Sequence, residues 1–203
     1  MSKIAGIDLG TTFSAIAFLN DLGKAEIAPN YENNQKILPS VVYIDSSNNK
    51  VQVGEKALNA LAAEPDKVVQ AVKKQMENET VWNTNKGEFV DKNTADVGKD
   101  EYTPAQISAL ILKKLSEFNE GTEKVIVTVP AMFAETARRA TSDAVKIAGL
   151  ELIDLINEPT AAILHYASIP DVDVSGKIMV FDLGGGTFDV SIANVNNTDI
   201  EIL

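Results

Sequence analysis

The chain has 203 residues, 45% of them hydrophobic, with no cysteine and a formal net charge of −11. The acidic charge argues against general nucleic-acid binding, which needs lysine and arginine to replace counterions at phosphates. The absence of cysteine removes disulfides, thiolate metal sites and thiol catalysis. Apolar runs are short, which argues against a membrane span, and the first residues lack the pattern of a signal peptide. We therefore expect a cytoplasmic protein that contacts neither nucleic acid nor membrane.

The N-terminal part of the chain predicts a β-meander, because short runs of β-branched and apolar residues alternate with turn residues. The clearest turn signals lie at residues 21–24 and 45–49. We predict strands at residues 4–9, 13–19, 25–28, 41–44 and 51–53.

From Glu55 onward, apolar residues recur at helical spacing. Thr103, Pro104 and Gln106 have the pattern of a helix start, with a cap, a proline in the first turn and the partner of a capping box. We predict helices at residues 55–64, 66–76, 103–118, 134–148 and 159–167, with strands at 124–129 and 152–156. A meander followed by alternating strands and helices is typical of a mixed sheet flanked by helices, so we expect an α/β fold.

One short phrase occurs twice in similar form. It reads GIDLGTTFS at residues 6–14 and VFDLGGGTFD at residues 180–189. Each copy is an apolar strand, an Asp, a turn rich in Gly and Thr, and a second apolar stretch. Two such hairpins can face each other across a cleft and hold a polyphosphate between them. Because the second hairpin starts only about 25 residues before the chain ends, we expect the second of two related lobes to be truncated.

Both turns contain groups that suit phosphate. Gly184, Gly185 and Gly186 let the backbone approach an anion without a Cβ in the way, and successive N–H groups in such a turn form an anion-binding nest. Thr11 and Thr187 add hydroxyl donors. Neither turn is a P-loop, since each lacks the Gly-Lys-Ser/Thr signature and leads into a strand. A hairpin without a ligand would explain either turn alone, whereas two matching turns favour a shared polyphosphate.

Acidic residues beside these turns predict a metal ion. Asp8 and Asp182 each end a strand, and a carboxylate next to phosphate is repelled unless a cation lies between them. Mg²⁺ held through water explains both residues, although each could be a plain turn residue. Glu158 opens a helix, where it could orient water or only favour the helix N-terminus. Lys73 or Lys74 could reach the γ-phosphate, unless both face solvent.

Several longer stretches resemble the nucleotide-binding domain of the 70-kDa heat-shock chaperones of the DnaK type. They occur in the family's order between residues 4 and 193 and read GIDLGTTFSAIA, LPSVVYI, VTVPAMF, DAVKIAGLE, NEPTAAIL and VFDLGGGTFDVSIA. Asp-Leu-Gly-Thr alone would indicate only the wider actin and sugar-kinase superfamily. NEPTAA together with DLGGGTFD is particular to these chaperones.

The resemblance implies an actin-like, ribonuclease-H-like ATPase fold, in which a mixed sheet flanked by helices carries a small inserted α/β subdomain. It places lobe I at residues 1–171, with a core subdomain at 1–37 and 103–171 and the inserted subdomain at 38–102. Residues 172–203 would then be the first hairpin of a truncated lobe II.

The resemblance also implies which residues hold ATP or ADP and Mg²⁺. The catalytic positions are Lys73, Glu158, Asp182 and Thr187, the nucleotide contacts are Gly10, Thr11, Thr12, Gly184, Gly185, Gly186 and Thr187, and the metal positions are Asp8 and Asp182. Lys74 stays an alternative to Lys73, because the residues that follow, 75–77, depart from the family's pattern. Pro130 and Arg138 match a relay between the nucleotide state and the substrate domain.

The implied function is that of a stress-response chaperone that couples ATP hydrolysis to the binding and release of unfolded polypeptides during protein folding. The polypeptides would bind through a C-terminal domain that these 203 residues do not include. A J-domain co-chaperone and a nucleotide-exchange factor would be partners. We expect the fragment itself to bind nucleotide weakly or to be inactive. The alternatives are a small-molecule kinase of the actin and sugar-kinase superfamily and a non-catalytic regulatory paralogue.

Overall fold

The computed structural model describes residues 3–93, 100–185, 188–196 and 199–203. The strands are β1 (Lys3–Asp8), β2 (Phe13–Leu19), β3 (Ala25–Ile27), β4 (Leu38–Pro39), β5 (Val42–Asp45), β6 (Lys50–Val53), β7 (Val68–Val69), β8 (Thr80–Asn83), β9 (Glu88–Asp91), β10 (Glu101–Tyr102), β11 (Thr122–Val129), β12 (Glu151–Asn157), β13 (Gly176–Leu183), β14 (Phe188–Asn196) and β15 (Asp199–Ile202). The helices are α1 (Glu55–Ala60), α2 (Pro104–Ser116), α3 (Glu135–Ile147) and α4 (Glu158–Ala167), and short 3₁₀ turns lie at Pro65–Lys67 and Val72–Gln75. Within these described ranges, every helix is too short or too polar to cross a membrane.

The largest sheet has the strand order β12-β11-β1-β2-β3, and β4 also pairs with β2. β11 runs parallel to β1 and β12, whereas β2 is antiparallel to β1. The register places Asp8 beside Thr128, and Val129 beside Asn157. Because these parallel strands end at the same edge of the sheet, their last residues meet there, which is where ligands bind in many α/β proteins. The mixed sheet with its helices confirms the predicted α/β class.

Helices α2 and α3 pack against each other and against elements of this sheet. α2 begins as the sequence predicts: Gln106 N donates to Thr103 Oγ1 at 3.2 Å, and Thr103 N donates to Gln106 Oε1 at 2.8 Å. These bonds satisfy backbone donors that a helix start otherwise leaves free. The core that joins these elements includes the fully buried side chains of Ile7, Ile16, Ile107, Ile111, Leu112, Val125 and Val127.

The predicted helix over residues 66–76 is wrong. Val68 and Val69 form strand β7, which pairs with Val42 and Tyr43 in the sheet β6-β5-β7. Ala71 then adopts a left-handed φ of 51° ahead of the 3₁₀ turn. The apolar spacing of this segment fits a helix, but a short isolated helix is marginal, and β-branched valines pack well on the edge of an existing sheet.

The segment between β4 and α2 contains α1 and two small sheets, β6-β5-β7 and β10-β8-β9. In the second of these sheets the sequence carries only a weak strand signal, around residues 88–90, because the surrounding residues are polar. This segment lies within residues 38–102, where the inserted subdomain is expected, and the division of the chain into subdomains stays a prediction.

Strands β13, β14 and β15 form a separate antiparallel sheet, of which β15 was not predicted. One face contacts α4, where Ile163 packs with Ala193 and Val195. The other face carries apolar cross-strand pairs whose side chains are each at least 43% exposed: Met179 with Ile192, Phe181 with Val190, and Leu183 with Phe188. Apolar patches of this kind are uncommon on soluble surfaces, and the elements described in this chain leave this one open to solvent.

Replacing Leu112 by Ala should lower the free energy of unfolding by about 2–5 kcal/mol, because Leu112 is 0% exposed and its truncation leaves a cavity in the core. Leu22→Ala is the control, since Leu22 is 81% exposed, and its effect should stay within about 0.5 kcal/mol. Urea unfolding followed by circular dichroism measures both. Equal effects of the two substitutions would contradict this assignment of the core.

Candidate functional site

A cavity of about 590 Å³ opens between the edge of the main sheet, where β1 and β11 end, and the hairpin of β13 and β14. This volume is ordinary for a small-molecule site. The predicted site residues found in its wall are Asp8, Gly10, Thr11, Thr12, Lys73, Glu158, Asp182, Gly184 and Gly185. Gly186 and Thr187, also predicted to contact nucleotide, lie outside the described residues.

The two glycine-containing turns meet at Thr12 and Gly185. A Cβ added to Gly185 would overlap Thr12 Oγ1 and lie 2.8 Å from Thr12 Cβ, which is closer than real side chains come. The turns can approach this closely only because Gly185 has no side chain. Both turns therefore face one common space, although about 170 residues separate them in sequence.

Local contacts hold the first turn in shape. Gly10 N donates to Ser14 Oγ at 3.2 Å, and Ser14 Oγ lies 2.8 Å from Ser40 Oγ in a buried hydroxyl pair. Asp8 Oδ1 accepts a hydrogen bond from Thr128 Oγ1 at 2.9 Å, so the neighbouring parallel strand sets the orientation of this carboxylate. These bonds preorganise the turn, which reduces the entropy lost when a ligand binds.

Lys73 and Glu158, which are 85 positions apart in sequence, form an ion pair beside the cavity. Their side chains are 10% and 15% exposed, so the pair is largely shielded from water. Burial raises the pKa of Glu158 above its ordinary value, the positive charge of Lys73 opposes that rise, and the negative charges of Asp8 and Asp182 add to it. Lys73 therefore favours the ionised form of a carboxyl group that its surroundings would otherwise neutralise.

The local backbone explains why Lys73, and not Lys74, faces this cavity. Val72 and Met76 are each 3% exposed and anchor the 3₁₀ turn in the protein interior. The turn directs Lys73 toward Glu158, whereas Lys74 is exposed and lines neighbouring cavities instead. The geometry thus favours Lys73 as the functional lysine, and its catalytic role stays a prediction.

Sequence analysis missed two polar groups at the site. Thr128 contacts Asp8, but in a run of β-branched residues it looks like an ordinary strand residue. Asn157 Oδ1 accepts a hydrogen bond from Arg138 Nη2 at 2.6 Å, and Arg138 Nε donates to Phe133 O at 3.2 Å. In the sequence, the signal for a role of Asn157 at the site is its position directly before Glu158. The family resemblance points to Arg138, whereas its hydrogen bond to Asn157 is visible only in the structure.

The cavity wall is negatively charged, because Asp8, Glu158 and Asp182 outnumber Lys73. A polyphosphate would be repelled here unless a cation accompanied it. Among the residues that the structure describes, no three Asp, Glu, His or Cys side chains lie close enough together to hold a metal ion directly. The carboxylates of Asp8, Glu158 and Asp182 could hold a hydrated cation such as Mg²⁺, which keeps several of its waters when it binds to proteins.

Two comparisons of the sequence with known proteins found matches. The sequence model of a family described as Hsp70 protein matches residues 4–203. The Chaperone protein DnaK of Thermotoga neapolitana is 40% identical over 208 residues. That match covers 98% of this chain and 32% of the DnaK chain, so this chain spans about a third of the length of the relative.

Replacing Lys73 by Met should destabilise the fold by about 2 kcal/mol at about pH 8 and by less at about pH 5. Without the lysine, the pKa of Glu158 rises further above its ordinary 4.5. The buried carboxylate then carries its full penalty above that raised pKa, and protonation relieves the penalty as the pH falls toward 4.5. Urea unfolding at the two pH values measures the difference.

Lys74→Met is the matched control, because Lys74 is adjacent but exposed. It should change the free energy of unfolding by less than about 0.5 kcal/mol, and equally at both pH values. A loss in Lys73→Met that is the same at both pH values would contradict the electrostatic role of the ion pair.

Proposed function

Because the chain belongs to the Hsp70 protein family, we propose that it forms part of the ATP-binding and ATP-hydrolysing domain of a DnaK-type chaperone. Proteins of this family bind nucleotide, generally with Mg²⁺. The whole protein would couple ATP turnover to the binding and release of unfolded polypeptides. The observation that supports this most directly is the approach of the two turns at Thr12 and Gly185 beside one cavity.

The nucleotide phosphates are proposed to lie between the turns. Backbone N–H groups in glycine-containing turns and threonine hydroxyls are donors, and phosphate oxygens are acceptors, so the two sets are complementary. We assign Gly10, Thr11 and Thr12 to one side of the phosphates, and Gly184, Gly185, Gly186 and Thr187 to the other.

Asp8 and Asp182 are the proposed metal positions. Both line the cavity, and the bond from Thr128 orients Asp8. Carboxylates in this arrangement accept hydrogen bonds from metal-bound water, which suits Mg²⁺ because this ion gives up its water reluctantly. A bound Mg²⁺ would supply positive charge to the phosphates.

Lys73 and Glu158 are proposed to position the water that attacks the γ-phosphate, together with Asp182 and Thr187. The lysine ammonium donates hydrogen bonds and the carboxylate accepts them, and their ion pair already holds the two groups side by side. Burial raises the pKa of Glu158, which makes its carboxylate a stronger acceptor for a hydrogen bond from water. Catalysis of this kind is mainly positioning and charge stabilisation.

Membership of the Hsp70 family favours a chaperone ATPase over the small-molecule kinase considered from the sequence. Asp8, Glu158 and Asp182 at the cavity speak against a regulatory paralogue without turnover. We further propose a cytoplasmic location, with unfolded polypeptides, a J-domain co-chaperone and a nucleotide-exchange factor as partners of the whole protein.

Titration calorimetry with ATP and excess Mg²⁺ should show binding to this chain with a Kd above about 1 μM. Gly185→Ala should weaken binding at least about tenfold, because the new Cβ would overlap Thr12 and push the turns apart. Gly6→Ala is the control, since a Cβ added there meets nothing within 4 Å, and the Kd should stay within about twofold of the unmodified chain.

Three results would count against these expectations. Absence of binding at about millimolar ATP in the unmodified chain would contradict nucleotide binding by this chain. Equal affinity in Gly185→Ala and Gly6→Ala would contradict the placement of the phosphates between the turns. A Kd well below 1 μM would show that the expectation of weak binding is wrong.

A further inference from the structure

Glu77 follows Lys73 by four positions and makes a contact with a distant part of the chain. Its Oε1 accepts a hydrogen bond from the backbone N–H of Ala134 at 3.3 Å, over a separation of 57 residues. Ala134 is the N-cap residue of α3, and no side-chain hydrogen bond caps this helix locally. The carboxylate of Glu77 thus brings an acceptor and a negative charge to a helix start whose own cap residue supplies neither.

The turn that carries Lys73 has little support of its own. It is a 3₁₀ turn of Val72–Gln75, closed by the bonds Lys74 N to Ala71 O at 3.0 Å and Met76 N to Lys73 O at 3.3 Å. Short 3₁₀ turns have poor hydrogen-bond geometry, and the left-handed conformation of Ala71 is strained for a residue that has a Cβ. Contacts from outside the turn therefore contribute much of what holds Lys73 in place.

Further hydrogen bonds connect Ala134 back to Lys73. Arg138 donates to Phe133 O, next to Ala134, and also to Asn157 Oδ1. Asn157 directly precedes Glu158, the ion-pair partner of Lys73. The contacts close into a ring, which runs through Lys73, Glu158, Asn157, Arg138, Phe133, Ala134 and Glu77.

The space next to the hydrogen bond between Ala134 and Glu77 is not filled by side chains. A cavity of about 200 Å³ separates the turn of Lys73 from the turn at residues 130–133, and its wall includes Lys73, Glu77, Pro130 and Phe133. The hydrogen bond from Ala134 to Glu77 therefore connects two turns that are not in close contact at this point.

We propose that Glu77 is a positioning residue, which ties the turn of Lys73 to the turn after β11 so that the two change position together. A shift of Lys73 away from Glu158 would then move Ala134 and the start of α3. The proposal rests on the proposed function at one point, which is the action of Lys73 on nucleotide. The hydrogen bond between Ala134 and Glu77 itself needs no ligand.

Acylation of lysines by acetic anhydride in nucleotide-free protein, read by fragment-ion mass spectrometry, measures the accessibility of Lys73. Lys73 should react slowly, because it is buried and paired, and exposed Lys86 serves as the internal reference. Glu77→Ala should raise the ratio of Lys73 to Lys86 labelling at least about threefold. Glu77→Gln retains an oxygen that accepts from Ala134 N–H, so its ratio should stay close to that of the unmodified chain, as should that of Glu79→Ala, an exposed neighbour.

Ala134→Pro removes the donor from the other end of the bond, and the φ of −66° at Ala134 suits proline. Ala134→Pro should also raise Lys73 labelling. If Glu77 only capped α3 and did not position Lys73, loss of the bond would leave Lys73 labelling unchanged. An unchanged ratio in Glu77→Ala overturns the proposal, as does an equal rise in Glu79→Ala. If Ala134→Pro does not fold, judged by circular dichroism, Glu77→Ala decides alone. Because labelling needs no nucleotide, its outcome is independent of the calorimetric test.

Discussion

The candidate site depends on the parallel pairing of β11 with β1 on one side and with β12 on the other. This pairing brings the ends of three strands to one edge, where Asp8 meets Thr128 and where Asn157 leads into Glu158 at the start of α4. Side chains alternate between the faces of a strand, so a slip of one residue would turn Asp8 away from the cavity. The buried core beneath the sheet prevents such a slip, because it would move the apolar side chains of β1 and β11 to the wrong face.

The charges at this edge are unfavourable to one another without a ligand. Asp8, Glu158 and Asp182 line the same cavity as one buried lysine, and burial raises the pKa of Glu158. The ion pair with Lys73 offsets part of the free-energy cost of burying the Glu158 carboxylate. A phosphate ligand with its cation would change the net charge of the cavity again. Repulsion between like charges at a site lowers stability, and stable structure elsewhere must offset it. In this chain the packing of α2 and α3 on the main sheet provides that stability.

Each wall of the cavity comes from a different part of the chain. The segment between β4 and α2 contributes Lys73, the main sheet contributes Asp8, and the hairpin of β13 and β14 contributes Asp182 and Gly185. Ligand sites at such junctions respond to small relative movements of their walls. The hairpin contacts α4 through one face only, while its second apolar face is open to solvent in the described chain. This chain spans about a third of the length of its DnaK relative.

The sequence by itself determined the features that depend on near neighbours. The capping box at Thr103, the two Gly/Thr phrases and most strands and helices are local patterns, and the longer phrases also indicated the family. The tertiary structure alone decided which lysine faces the cavity, because Val68–Val69 completes a distant sheet edge where a helix was expected. The contacts of Thr128 with Asp8 and of Glu77 with Ala134 join residues 120 and 57 positions apart. Local sequence patterns carry no information about such contacts, since strand register and packing bring these residues together only in the folded chain.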